Sequence, residues 1–410
     1  MIDVAQTVCA VVLVPLAGAG LALMNSGLGR SRSAAHAMLA PLCVASVAVL
    51  MYFVCGWSWQ SFPGRPVHVI VLGATAWNWL GAEPFFLRGF PFHDPDRNLA
   101  VWLQMCSVAL AAMIPLGAAL ERWRLGAACA STAILAAWTY PLFAHWTWGG
   151  GLLSQLGFLD AGGAGAIQTV GGLTALAVAW IVGPRAGKYG DRGVPAAFPG
   201  HNAILMLFGC FLTWLGWIGL NGAGGLLFAP ASSGLPLIAV NTTLSGAAGL
   251  LSAAAITRAR FGRPDASLCA NGWTAGLVAC SAGCASMAPA AAAVTGAIAA
   301  ALVVYAVEVL DTRLRVDDPA GAISVHAVGG IWGLIAVALF GPAHLTTQLA
   351  GIAALLLVVL PMTFGLNALL NRFYPQRVSP DAEPHGLDLY ELGAGAYPEF
   401  VIRRDDFRPR

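Results

Sequence analysis

One thirteen-residue pattern occurs twice in this chain. Residues 160–172 read DAGGAGAIQTVGG and residues 318–330 read DPAGAISVHAVGG. Aligned without a gap, they pair Asp160 with Asp318, Gly163 with Gly321, Ala164 with Ala322, Val170 with Val328, and the closing glycines with each other. Each copy opens an apolar segment long enough to span a bilayer, so each Asp is placed to cap a membrane helix, and Pro319 suits a first helical position. Eight residues beyond the Asp, Gln168 and His326 are expected about 12 Å along their helices. That depth is close to the midplane of a hydrocarbon layer about 30 Å thick. If the two helices run in opposite directions, an inverted repeat brings Gln168 and His326 together in mid-membrane, where transporters of this construction place their substrate path.

The chain is 58% hydrophobic and 10% charged, against about 25% charged for a soluble domain, which makes it a multi-spanning helical membrane protein. Its 49 glycines suit close helix packing, because lipid supplies no hydrophobic drive between helices and small side chains let backbones approach. Apolar stretches at 7–27, 37–56, 99–120, 125–145, 164–183, 201–221, 236–257, 267–284, 288–310, 321–340 and 347–370 predict eleven spans, related as an inverted repeat of spans 1–5 and 6–10. Residues 1–371 then form the transmembrane domain and 372–410 a tail.

Loops on one side hold Arg30, Arg32, Arg122, Arg124, Arg185, Lys188, Arg192, Arg258, Arg260, Arg263, Arg313 and Arg315, together with the tail from Arg372; only Arg65, Arg88 and Arg97 fall on the other side. The positive-inside rule therefore puts the N-terminus outside and the C-terminus in the cytoplasm of a plasma-membrane protein. In that orientation the span after Asp160 runs inward and the span after Asp318 runs outward, as the inverted repeat requires. The start, MIDVAQTVCAVVLV, carries Asp3 where a cleaved signal would carry basic residues, and reads as the first span.

The nine cysteines lie mostly inside apolar segments and in no metal-ligand spacing, which makes them small packing residues. No nucleophile–base pair emerges, so an enzyme is disfavoured; no cofactor is expected, and a net charge of +2 carried by loops implies no nucleic-acid partner. Between spans two and three lies an aromatic segment with Trp57, Trp59, Phe62, Trp77, Trp79, Phe85, Phe86, Phe90 and Phe92, which reads either as an interfacial belt or as a folded lid.

The runs WTWGGGLLSQLGFLDAGG (146–163), LRVDDPAGAISVHAVGGI (314–331), ALERWR (119–124), GHNAILMLFGCFLTWLGWIGLNGAG (200–224) and GLDLYELGAGAY (386–397) together resemble the ammonium transporter family over essentially the whole chain. The resemblance implies a homotrimer in which each protomer conducts ammonium or ammonia through its own pore, with a tail that docks a PII-type regulator. It also implies that Trp148 recruits the cation by its ring face, and that Asp160 is a structural acid below the vestibule, a role that a plain N-cap explains equally. Gln104 and Trp217 match family positions near the pore, where either could be ordinary packing.

The departures fall along the conduction path. Gly224 stands where the family has a vestibule serine, Ser107 and Leu220 replace its two gate phenylalanines, and Gln168 replaces the first of its paired histidines, leaving His326 as the second. The tail has Leu392 in place of a His and Ala394 in place of an acid, which puts the PII-type partner in doubt and leaves a tail that stabilises the trimer. Two imidazoles can relay a proton, because a ring nitrogen titrates near neutral pH; a glutamine amide cannot. It can accept a hydrogen bond from His326 and offer an NH2 donor, so a path for neutral ammonia survives while a two-histidine relay is weakened. The entrance at Ser107 and Leu220 is either wider, admitting a small amine or another small solute, or packed shut. A sensor with little flux is the alternative to a channel.

Overall fold

The computed structural model describes residues 3–64, 67–72, 75–190, 194–229 and 234–400. Arg65, Arg192 and the basic end with Arg403, Arg404, Arg408 and Arg410 lie outside these residues. Ten helices are long and apolar enough to cross a membrane among the described residues: α1 Val4–Leu28, α2 Ser31–Gln60, α3 Pro95–Ala118, α4 Leu125–Gln155, α5 Ala164–Val182, α6 Ala203–Phe228, α7 Leu235–Phe261, α9 Pro289–Leu314, α10 Ile323–Phe340 and α11 Leu345–Phe373. The remaining apolar stretch, 267–284, forms the 15-residue helix α8, Ala266–Cys280, about 22 Å long. Asp265 caps its start by accepting from the Leu268 N–H at 2.9 Å. Its helix stops at Cys280 although the apolar run continues, because the next carbonyls are used elsewhere. Ser281 O accepts from Gly162 N at 2.8 Å and Ala282 O from Ala161 N at 3.1 Å, which pins the segment entering α5.

The fold is all-α and multi-pass, with one two-stranded sheet among the described residues. His68–Leu72 and Thr75–Leu80 pair as an antiparallel hairpin with Ile70 opposite Trp77. This hairpin belongs to the aromatic segment and packs on α4: Trp77 lies 5.9 Å from Trp146, and Trp146 Nε1 donates to Trp79 O at 2.9 Å. Amphipathic aromatic side chains satisfy both an interfacial belt and a half-buried strand, so composition alone did not announce the hairpin.

Small residues let the helices touch. A Cβ on Gly216 of α6 would lie 2.0 Å from Ala17 N of α1, and one on Gly296 of α9 would lie 2.0 Å from Ser245 O of α7. In neither place can a larger residue enter without separating the pair.

On the face opposite the hairpin, buried ion pairs knit the loops to one another, and two tail carboxylates bind the helix starts beside them. Arg122, fully buried, donates to Gly183 O at 2.6 Å and to Asp317 O at 2.8 Å, while Arg185 grips the Asp317 carboxylate with Nε at 2.9 Å and Nη2 at 3.0 Å. Burial alone raises the Asp317 carboxyl, but the Arg185 hydrogen bonds and the nearby Arg122 charge win and hold it below its ordinary value. Tail residue Asp388 accepts from Ala35 N at 3.0 Å and His36 N at 2.7 Å at the start of α2, filling donors that a helix N-terminus leaves open. Glu391 accepts from Leu125 N at 2.9 Å and meets His36 Nε2 at 2.8 Å.

Candidate functional site

The two copies of the repeated pattern build the site in parallel ways. Asp160 Oδ2 accepts from Gly165 N and Ala166 N, both at 2.9 Å; Asp318 accepts from Ala322 N at 2.8 Å and Ile323 N at 2.9 Å. Gly163 and Gly321, at matching places, have positive φ of 84° and 70°, a conformation open to glycine at no steric cost. Each helix then begins with a wide π turn, Ala164–Thr169 in one copy and Ile323–Val328 in the other. These two turns carry Gln168 and His326.

The closing glycines set the crossing. A Cβ on Gly172 would lie 2.3 Å from Ala327 N, and one on Gly330 would lie 2.4 Å from Thr169 Oγ1 and 2.5 Å from Ala164 O. Each copy's glycine therefore receives the backbone of the other copy. The end of α5 meets the start of α10 through Arg185 N and Asp317 Oδ2 at 2.9 Å, so the helices run antiparallel and cross within the first half of each, where Gly172 faces Ala327 and Gly330 faces Thr169. There His326 Nδ1 and Gln168 Oε1 are 2.8 Å apart, with Gln168 fully buried and His326 3% exposed.

An amide oxygen only accepts, so Nδ1 carries the proton and Nε2 is the ring's acceptor. The Gln168 Nε2 donor has no hydrogen-bond partner among the described residues. Trp217, fully buried, lies against the His326 ring at 6.4 Å.

Two cavities approach the pair from opposite faces. On the hairpin side Ser107, Trp148, Ile167, Leu220, Gly224 and Phe228 line one cavity. On the tail side another is lined by Asn25, Met113, Asn271, Thr274, Val325 and His326. His326 itself lines the tail-side cavity, and Ile167, the neighbour of Gln168 in the chain, lines the hairpin-side one.

The structure thus brings Trp148, Ser107, Leu220 and Gly224 to one cavity. The Ser107 hydroxyl donates to Leu103 O at 2.8 Å within its own helix, and Gly224 lies against Ala161 O, 2.3 Å from where a Cβ would be. Trp148 Nε1 donates to Asp160 O at 3.0 Å, so Asp160 supports the indole with its carbonyl and caps α5 with its carboxylate. Asp318 caps α10 and lines neither cavity. Gln104 also lies off both cavities, as acceptor of the Tyr140 hydroxyl.

Sequence reading missed Phe228, Asn25 and Asn271. Phe228 stacks on Trp148 with centroids 4.6 Å apart and planes 15° off parallel; it lies four residues past Gly224, one helical turn on, which is the signal that could have found it. The asparagines were announced by single polar residues inside the apolar runs ALMNSG and LCANGW, since polar groups within a membrane usually face a cavity.

Comparison with known proteins agrees with this construction. The family model described as Ammonium Transporter Family matches residues 5–397. The chain is 35% identical over 421 aligned positions to the ammonium transporter Amt2 of Archaeoglobus fulgidus, covering 95% of this chain and 86% of that protein. Among solved structures it is similar to one described as a Sensor Amt Protein, with TM-score 0.86, 30% identity and coverage of 95% and 98% of the two chains. Mep2 of Candida albicans superposes with TM-score 0.81 at 26% identity, over 92% of this chain and 86% of that one. With a matching family model along nearly its whole length and a relative above 30% identity, this chain belongs to the ammonium transporter family.

Proposed function

We propose that this protein conducts ammonia across the plasma membrane through the Gln168–His326 pair, taking it from ammonium that gives up its proton to water on the hairpin side. The observation that carries this is the 2.8 Å contact between His326 Nδ1 and Gln168 Oε1, with His326 lining the tail-side cavity. It leaves one acceptor, His326 Nε2, and one donor, the Gln168 NH2. Neutral ammonia donates and accepts, so it can engage both. Ammonium only donates, and it would meet the amide NH2 with no lone pair while losing its hydration in an apolar channel. The pair therefore selects the neutral species, and among the described residues no second imidazole lies beside His326 to relay the released proton.

In this reading Trp148 is the ring that attracts the cation, Asp160 and Asp318 hold the two pore helices, and Leu220, Ser107 and Gly224 shape the entrance beside Trp217 and Gln104, which support the wall. The short helix α8 with its following turns completes an eleventh crossing, and spans 1–5 and 6–10 form an inverted repeat with the N-terminus outside. Residues 1–371 are the channel domain and 372–410 a cytoplasmic tail. That tail stabilises a homotrimer; Leu392 and Ala394 weaken the case for a PII-type partner.

The test is the response of proteoliposomes to an ammonium pulse, with internal pH and membrane current read together. Protein-dependent alkalinisation without saturable current is expected. A saturable ammonium current that Gln168→Ala abolishes would show that glutamine suffices for charged transport. A second reading, an ammonium sensor with little flux, is favoured by the similarity to the structure described as a Sensor Amt Protein; it is adopted if neither signal exceeds that of empty liposomes.

A further inference from the structure

The outer cavity has lost its expected plug at Ser107 and Leu220, yet the face of Trp148 is not open. Phe228, the last residue of α6, lies over the indole at 4.6 Å with planes 15° apart. A cation held between two rings needs van der Waals contact, about 3.5 to 4 Å, on each side, so rings this close leave no room for one. Trp148 is only 9% exposed and its edge is tied to Asp160 O, so the ring itself is not the part that yields.

Phe228 is held from the other direction. Phe62, from the segment between α2 and the hairpin, meets it edge-on at 5.1 Å and 87°, the T-shaped arrangement that aromatic quadrupoles favour. Three rings from α4, α6 and the aromatic segment thus form one stack across the mouth.

We propose that Phe228, braced by Phe62, is the outer gate of this pore and sets its discrimination against amines larger than ammonia, by covering the Trp148 ring that would otherwise take the cation. Passage requires Phe228 to swing off the indole. The aromatic plug is retained in chemistry but supplied from the end of α6 and from outside the membrane helices, in place of positions 107 and 220. The inference rests on the conduction reading for its transport consequence, while the covered ring can be tested by binding alone.

The experiment is equilibrium dialysis of radiolabelled methylammonium against the purified full-length protein, as wild type, Phe228→Ala, Phe62→Ala and the double variant Phe228→Ala/Trp148→Ala. Uncovering the ring is expected to tighten binding by about two- to thirtyfold, the range of one cation–π contact. Phe62→Ala, which leaves α6 intact, should give a smaller gain in the same direction, and the double variant should return to the wild-type value. Binding unchanged in both Phe228→Ala and Phe62→Ala, or a gain that survives removal of Trp148, overturns the proposal. Ammonia flux is measured in parallel. No flux in any variant would remove the conduction reading and leave the binding result to decide the gate.

Discussion

Replacing Gln168 by leucine isolates what its amide contributes, because leucine nearly matches its bulk and carries neither oxygen nor NH2. With Gln168 fully buried and His326 3% exposed, water cannot simply substitute for the lost acceptor at 2.8 Å. The Nδ1–H is left without a partner, at a cost of about 1 to 3 kcal/mol. The ring's way to recover this is to move its proton to Nε2, where it can reach the tail-side cavity that His326 lines. That shift converts the one acceptor facing the path into a donor. If ammonia passes by donating to Nε2, flux falls by the penalty of restoring the original tautomer, about 5- to 150-fold.

Stopped-flow alkalinisation of proteoliposomes after an ammonium gradient measures this directly, with protein content matched between preparations. Gln168→Asn separates geometry from chemistry: it keeps the amide but is shorter by one methylene, so its oxygen falls short of Nδ1, and flux should drop nearly as far. Flux within twofold of wild type in Gln168→Leu would refute the tautomer argument, since the substitution removes the only feature on which it depends.

Three further outcomes are expected. Gly330→Ala places a Cβ 2.5 Å from Ala164 O, whereas Gly365 has nothing within 4 Å of its Cβ position; detergent melting should fall for the first by the equivalent of about 1 to 3 kcal/mol and stay unchanged for Gly365→Ala. Asp318→Ala removes the acceptor of the Ala322 and Ile323 N–H groups and should cost about 0.5 to 2 kcal/mol in the same assay, part of it restored by Asn. Glu391→Ala should remove hydrogen-exchange protection from the tail around residues 382–397. Burial raises the Glu391 carboxyl, but the His36 contact and the Leu125 N–H outweigh it and hold the group below its ordinary 4.5. Its contribution is therefore complete above that value and lost as pH falls through the lower folded one, so wild-type tail protection should be flat from neutral pH down to about 5 and then decline.

Much of the site was legible because it is encoded locally. An Asp, a glycine three positions on, and a pair of closing glycines form a pattern that one chain segment can display, and its second occurrence points to the partner. What stayed hidden depends on residues distant in sequence. Phe228 meets Trp148 across 80 residues and is braced by Phe62, and no periodicity marks such a triad. The hairpin was masked because aromatic composition fits two environments. The end of α8 was misplaced because apolar continuity does not reveal that Ser281 and Ala282 carbonyls are already bonded to Gly162 and Ala161.

The two copies also separate what the scaffold requires at the helix crossing from what conduction requires. The crossing is set by Gly172 and Gly330 and by the capped starts of α5 and α10, none of which involves the side chains at 168 and 326. Packing asks of position 168 only a side chain that fits; His326 asks of it only an acceptor near Nδ1. Glutamine meets both demands, so the crossing does not call for a titratable ring at that position. Proton relay asks for more, a group that takes up and releases a proton near neutral pH, and nothing in the crossing enforces that. The helices can therefore hold the same geometry while the chemistry at their contact changes, and for that reason family membership fixes the architecture here more tightly than it fixes the charge of what passes.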